Sequence, residues 1–197
     1  SCKKDDTGLP VVSLTGDGTI TLDLGATWTD PGATATDEND GTITPVASGT
    51  VNTDQVGEYT VTYTATDEAG NVGTATRTVK VKTNKLARTY HSVVKIGGTE
   101  VTNYDPVVTA SELNYNKIII ANFGNYEGSY TMTATVSGNS FTIPDFTSTG
   151  TPVIKLTNIS GTFVKTGTGT SATYAINTVN YTEQVGTANA SAVVETW

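Results

Sequence analysis

Cysteine is almost missing from this chain, with one residue in 197. A single thiol excludes an internal disulfide framework and any thiolate metal cluster. Histidine is equally scarce, at one residue. That excludes His-rich metal sites and leaves nucleophilic catalysis without its usual base. Positive charge is short as well: 11 Lys and Arg stand against 19 Asp and Glu, a net charge of -8. Binding to nucleic acid needs a basic face that displaces counterions, so nucleic acid is not an expected partner. No window of about 18 apolar residues exists to cross a bilayer as a helix. The 3.6-residue apolar period of an amphipathic helix is nearly absent too.

Threonine fills the space these residues leave, at roughly a fifth of the chain. Thr, Val, Tyr and Ile alternate with polar residues over short runs broken by Gly, Asn and Asp. This is the pattern of an all-β chain. It is clearest from Glu58 to Thr66, EYTVTYTAT. Tyr59, Val61, Tyr63 and Ala65 share one parity and are expected in a core. Thr60, Thr62, Thr64 and Thr66 share the other and suit water, because a branched Cβ favours extended backbone while the hydroxyl stays solvated.

Composition changes near residues 83 to 86. All four Phe and seven of the nine Tyr lie beyond it. Residues 1 to 85 carry 6 basic and 12 acidic side chains, and residues 86 to 197 carry 5 and 7. The expected organisation is a short tether at 1–7, a β-sandwich at 8–83 and an antiparallel β domain at 87–197, joined by a very short linker.

Expected strands in the first domain are 11–14, 20–24, 33–36, 46–51, 59–67 and 72–82, spaced as in a small sandwich. The segment DQVGEYTV at residues 54–61 resembles the immunoglobulin strand-F signature, with Gly57, Tyr59 and Val61 in order and Val61 where antibodies carry Cys. Tyr59 would then stand at the tyrosine corner. The phrases VVSLTGDGTITLDLGATWTDPGATATD, VGEYTVTYTATDEAGN and TATRTVKV resemble a family of bacterial Ig-like repeats of unknown function. That resemblance covers the whole first domain. It implies a spacer, stalk or interaction module of a surface protein.

The acidic phrases TDENDG and TDEAGN gather Asp37, Asp40 and Asp67. Asp and Asn commonly bond their own backbone in turns before Gly. Mixed Asp and Asn loops also supply oxygen ligands for Ca²⁺, which is the one ion expected here if any is bound. No other cofactor is expected. Trp28, before Asp30-Pro31-Gly32, is read as packing on the sandwich edge.

Expected strands in the second domain are 90–96, 117–122, 129–136, 140–144, 153–157, 161–165, 172–179 and 190–197. Eight antiparallel strands over about 110 residues close most naturally into an up-and-down barrel, which removes exposed edges. The phrases NKIIIANFGNYEG, TATVSGNSFTIPDF and VIKLTNISGTF resemble the calycin-like barrels of Bacteroidetes lipoproteins. That resemblance implies a barrel, either enclosing a ligand cavity or filled by its own side chains. Tyr104, Tyr115, Phe123, Tyr126 and Tyr130 stand either in the core or at a pocket mouth. Tyr104 and Tyr126, in Asn-, Gly- and Asp-rich stretches, are the candidate exposed ligand contacts. His91 lies in no nucleophile motif. Glu100 and Asp105 share one short loop with no apolar setting to raise either pKa, so no enzyme is expected.

The amino-terminal SCKKDD places the sole thiol, Cys2, upstream of any fold. It resembles a lipoprotein processing site followed by the Lys-acidic export signal of Bacteroidetes. The resemblance implies lipidation at Cys2, a membrane partner through that anchor, and display on the outer membrane. The expected function is a non-catalytic surface binding protein, for a glycan or another nutrient. The alternative is a structural or adhesive lipoprotein whose barrel contacts an outer-membrane protein.

Overall fold

The computed structural model describes residues 6–124 and 130–197. Cys2 and Tyr126 lie outside the described residues. Strands account for most of the described chain, and the helical content is two 3-10 turns, Asn84–Leu86 and Gly169–Ser171. The chain divides into two compact units. The first holds residues 1–22, 27–53 and 58–80; the second holds 81–197 with the short segments 23–26 and 54–57.

The first unit is built on β1 (Val11–Leu14), β2 (Thr19–Asp23), β3 (Ala33–Asp37), β4 (Gly41–Ile43), β5 (Val46–Ser48), β6 (Gly57–Thr66) and β7 (Val72–Lys82). They form a three-stranded sheet, β1-β3-β4, and a four-stranded sheet, β2-β7-β6-β5. This is a seven-stranded Ig-like sandwich. The period-two reading of β6 holds: Val61, Tyr63 and Ala65 are buried, and the threonines between them face outward. Tyr59 is only partly buried. β4 was not expected, because three residues starting at Gly41 carry too little pattern to read.

Among the described residues, Arg77 is the one basic side chain in that core, fully buried on β7. Every guanidinium nitrogen is used. Nη1 donates to Asp30 Oδ1 at 2.6 Å and Tyr63 Oη at 2.7 Å; Nη2 donates to Thr15 O at 2.6 Å and Gly32 O at 3.2 Å; Nε donates to Asp17 O at 3.1 Å. Tyr63 in turn donates to Asp30 Oδ1. A buried charge is tolerated only when paired and hydrogen-bonded in this way.

The second unit is one curled antiparallel sheet. Its strands are β8 (Arg88–Thr89), β9 (Ser92–Ile96), β10 (Thr99–Tyr104), β11 (Val107–Ala110), β12 (Lys117–Phe123), β13 (Tyr130–Ser137), β14 (Ser140–Ile143), β15 (Phe146–Thr147), β16 (Ile154–Thr166), β17 (Thr173–Val185) and β18 (Ser191–Thr196). β8 and β9 are one arm interrupted at residues 90–91, and β10 and β11 another interrupted at 105–106; β9 pairs with β10 and β8 with β11. β11 then pairs with β12, and pairing continues through β13, β14, β16 and β17 to β18. β18 returns to β9. Eight arms thus run up and down, and pairing comes back to the first.

The sheet curls around an apolar interior. Ile118, Ile120, Phe123, Phe141, Phe163 and Ile176 are all buried there. Two expected strands, 153–157 and 161–165, are one. Asn158 takes a left-handed φ of 54°, and the register shifts between Thr157 and Ser160. What reads as a turn is a bulge inside β16. The arm β10–β11 was not expected, because TEVTNY is exposed at every position but Tyr104 and shows no apolar alternation.

Candidate functional site

Two clusters carry the chemistry-bearing residues, one in each unit. In the first, carboxylate oxygens of Asp6, Asp37 and Asp67 lie within 4.8 Å of one another. Asp37 and Asp67 are buried. Asp37 Oδ1 accepts from the backbone N–H of Asn39 at 2.8 Å and Asp40 at 3.1 Å. Asp67 accepts from the Asn71 backbone N–H at 2.7 Å and from Asn71 Nδ2 at 2.8 Å. Burial alone would raise the Asp67 pKa, but the bonds from Asn71, Gly70 and Ala69 hold it below the usual carboxylate value. Asp6 joins through Asn71, whose Nδ2 also donates to Asp6 O at 3.1 Å.

The acidic set expected for Ca²⁺ changes in one member. Asp37 and Asp67 do converge. Asp40 instead accepts the Glu68 backbone N–H on Oδ2 at 2.6 Å, tying the two loops together, and Asp6 takes the third place. Hard oxygen donors of this kind suit Ca²⁺ or Mg²⁺. The same donors also serve their own turns, as the bonds to Asn39, Asp40 and Asn71 show.

In the second unit, Glu195 is fully buried on β18, pointing into the curled sheet. Its Oε2 accepts from Tyr104 Oη at 2.6 Å, Trp197 Nε1 at 2.7 Å and Ser92 Oγ at 3.1 Å. Its Oε1 accepts from Tyr181 Oη at 2.7 Å. None of these donors is a cation. Four arms contribute: β9, β10, β17 and β18. Trp197 is the one partly exposed member of the set. Its ring lies 5.6 Å from Tyr90 and 6.3 Å from Phe123, tilted 46° and 53°.

Tyr104 is therefore not the exposed loop aromatic expected. It ends β10 opposite Ser92, is buried, and faces Glu195. Burial first, then the neighbouring Glu195 carboxylate, push its phenol well above the ordinary tyrosine value. The sequence Asn103-Tyr104-Asp105-Pro106 reads as a loop because strand pairing supplies the order that local residues do not. Tyr126, the other expected contact, lies outside the described residues. Tyr130 and Phe146 form a second partly exposed aromatic pair, with centroids 4.7 Å apart.

Glu195 and Trp197 were not singled out from sequence. Their signal was there: in Val193-Val194-Glu195-Thr196-Trp197 they share the parity of buried Val193, which puts an acid on an inward register. Elsewhere, His91 Nδ1 lies 2.8 Å from Asp105 Oδ1, with both side chains about two-thirds exposed at 66% and 65%. Glu100 is exposed. Glu100 stands on β10 and Asp105 just beyond its end, rather than together in one loop.

No curated protein matches the chain. Among solved structures, a lipoprotein of Bacteroides thetaiotaomicron is 19% identical at a TM-score of 0.37, with 95% of this chain and 100% of that one covered. A carbohydrate-binding module of Clostridium perfringens ZmpB, solved with GlcNAc and INT domains, is 16% identical at a TM-score of 0.31, covering 95% of this chain and 43% of that one. At these TM-scores neither informs what this chain binds. The first sandwich has a sequence match: residues 12–81 match the family model described as "Bacterial surface protein, Ig-like domain".

Proposed function

We propose that the protein is a non-catalytic accessory protein of a bacterial outer membrane. It is held by lipid on Cys2 and binds glycans at the cell surface. The observation that carries this reading is the surface-protein Ig-like domain at residues 12–81. An Ig-like sandwich held by a short tether suits a spacer that lifts a second domain away from the membrane. The non-catalytic part rests on the acids. The exposed His91–Asp105 pair stands in solvent, and Glu195 is saturated by donors. Neither offers a poised acid or base beside a cleft. The alternative is a structural or adhesive lipoprotein whose second domain contacts an outer-membrane protein.

Expression with a signal peptide in an outer-membrane host tests the location. The protein should label with radioactive palmitate and be shaved from intact cells by added protease. Unchanged labelling in Cys2→Ala would sink the anchor. A glycan array tests the binding half. A blank array, with an outer-membrane protein captured through residues 87–197, would replace glycan binding with the adhesive reading.

A further inference from the structure

A buried carboxylate surrounded only by neutral donors needs an account. Removing Glu195 from water is costly, and an apolar side chain would fill the same space without that cost. Four hydrogen bonds offset it, and bonds to a charged acceptor are shorter and stronger than neutral ones. Three of the four donors, Ser92, Tyr104 and Tyr181, are themselves buried. They hold the carboxylate still. The fourth, the Trp197 indole, is partly exposed. The arrangement therefore links a fixed carboxylate to a partly exposed tryptophan. The indole N–H is aimed at Oε2, and Tyr90 and Phe123 pack on the ring at 5.6 Å and 6.3 Å.

A partly exposed tryptophan locked in this way is organised before any ligand arrives. A ligand that stacks on it meets no cost of ordering the ring. The ring's negative face favours the slightly positive axial C–H groups of a pyranose. Polar groups stand beside it. Asn177 O accepts the Trp197 backbone N–H at 3.2 Å, and Asn177 Oδ1 accepts from Thr162 Oγ1 at 2.8 Å. The Arg88 guanidinium carbon lies 5.8 Å over the Tyr90 ring.

The geometry points to Trp197 as the stacking face of a glycan site, taking one pyranose ring at this partly exposed residue, with buried Glu195 as its positioning residue. This rests on the glycan-binding reading above and names its site. The Glu195 cluster gives Trp197 a role that a core tryptophan would not need.

The chain has two tryptophans, so Trp28→Phe leaves Trp197 as the sole indole reporter. In that background the probes are maltohexaose, cellohexaose, xylohexaose, mannohexaose and N-acetylchitohexaose, followed by any glycan that scores on an array. A binding glycan should quench or blue-shift Trp197 emission. Trp197→Ala should weaken its binding at least tenfold, and Trp197→Phe less. Glu195→Gln keeps the shape but removes the charge and replaces one acceptor with an amide donor. It should weaken binding severalfold and raise acrylamide quenching of Trp197 while circular dichroism stays β. Should Glu195→Gln fail to fold, Tyr181→Phe removes one donor more gently and should raise the quenching to a smaller extent. If a glycan binds yet Trp197 emission and Trp197→Ala affinity are unchanged, the site is wrong and the glycan reading stands. Loss of binding in Tyr130→Ala alone would move the site to the Tyr130–Phe146 pair. No binding by any glycan overturns both.

Discussion

Arg77 Nη1 stands 2.6 Å from Asp30 Oδ1, and the arginine is fully buried while the aspartate keeps 29% of its side chain in water. The pair therefore joins the core of the sandwich to its surface. Burial works to raise the Asp30 pKa, but bonds from Tyr63, Gly32 and Arg77 bring it below the ordinary value. A carboxylate whose folded pKa is depressed adds stability that is present above the unfolded value, about 4, and is lost as pH falls through the folded one. The melting midpoint of the first domain should stay level down to about pH 5 and fall below about pH 4. Asp30→Asn should flatten that acid limb. Arg77→Ala should cost about 3 kcal/mol, since removing one partner leaves buried groups uncompensated. Denaturant melts from pH 2.5 to 7 check both; an acid limb unchanged in Asp30→Asn would assign it to other carboxylates.

Tyr63 in the same network gives the opposite sign. Burial first, then its bond to Asp30, push the phenol up to about 12. A raised folded pKa favours the proton in the native state. The contribution is intact below the unfolded value of about 10 and disappears as pH rises through the folded one. Tyrosinate absorbance near 295 nm should therefore show Tyr63 among the late-titrating phenols, with Tyr59, Tyr90, Tyr104 and Tyr174. Tyr63→Phe should lower the late amplitude by one phenol and leave the rest.

Gly73 meets a steric limit rather than a conformational one. A Cβ there would stand 1.8 Å from the Pro10 carbonyl oxygen. That atom is backbone, so the chain itself would have to move. Gly73→Ala should lower stability by about 1–3 kcal/mol, in the range of overpacked cores. A denaturant midpoint within error of the parent would show that the segment before β1 moves aside freely.

How much of this was legible in the residues differs between the two units. In the first, β1 and β7 were read to the residue, because VVSL and VGTATRTVKVK alternate and are bounded by turn residues. The Arg77 network was not legible. Its partners Thr15, Asp17, Asp30, Gly32 and Tyr63 come from separate stretches of chain, and nothing local to TATRTVKV says that its arginine points inward. In the second unit the number of arms was right for mixed reasons. The bulge at Asn158 made one strand look like two, and the polar arm β10–β11 looked like loop. The same gap hid the site. Tyr104 was judged by its neighbours in sequence, whereas its place is set by pairing with Ser92 and by Glu195, 91 residues away along the chain.

Gly161, inside the bulged β16, tests that strand directly. A Cβ there would lie 2.3 Å from Phe141 Cζ and 2.6 Å from the Thr178 carbonyl oxygen. One neighbour is a buried ring and the other is ladder backbone, so neither yields cheaply. Gly161→Ala should destabilise the second domain by about 1–3 kcal/mol, as forced overpacking does. Hydrogen exchange should rise at β14, β16 and β17 and stay unchanged in the first sandwich. Uniform exchange changes across both domains would contradict a local steric cause.

The Asp6, Asp37 and Asp67 cluster can be settled by one pair of melts. Ca²⁺ is held through six to eight oxygens, so a site here would draw on carboxylates that already have work. Asp37 Oδ1 closes the turn at Asn39 and Asp40, and Asp67 closes the turn at Asn71 through both oxygens. Those bonds account for the convergence of Asp37 and Asp67 without an ion, since each shapes its own loop and Asp40 ties the loops through Glu68. The expected outcome is a first-domain midpoint that is the same in millimolar Ca²⁺ and in chelator. Asp67→Ala should lower that midpoint equally in both. A ligand that binds only the native state must raise the midpoint, by an amount equivalent to about 2.7 kcal/mol at a hundred times its dissociation constant. A rise of that order, abolished in Asp67→Ala, would convert the three carboxylates from turn residues to a cation site.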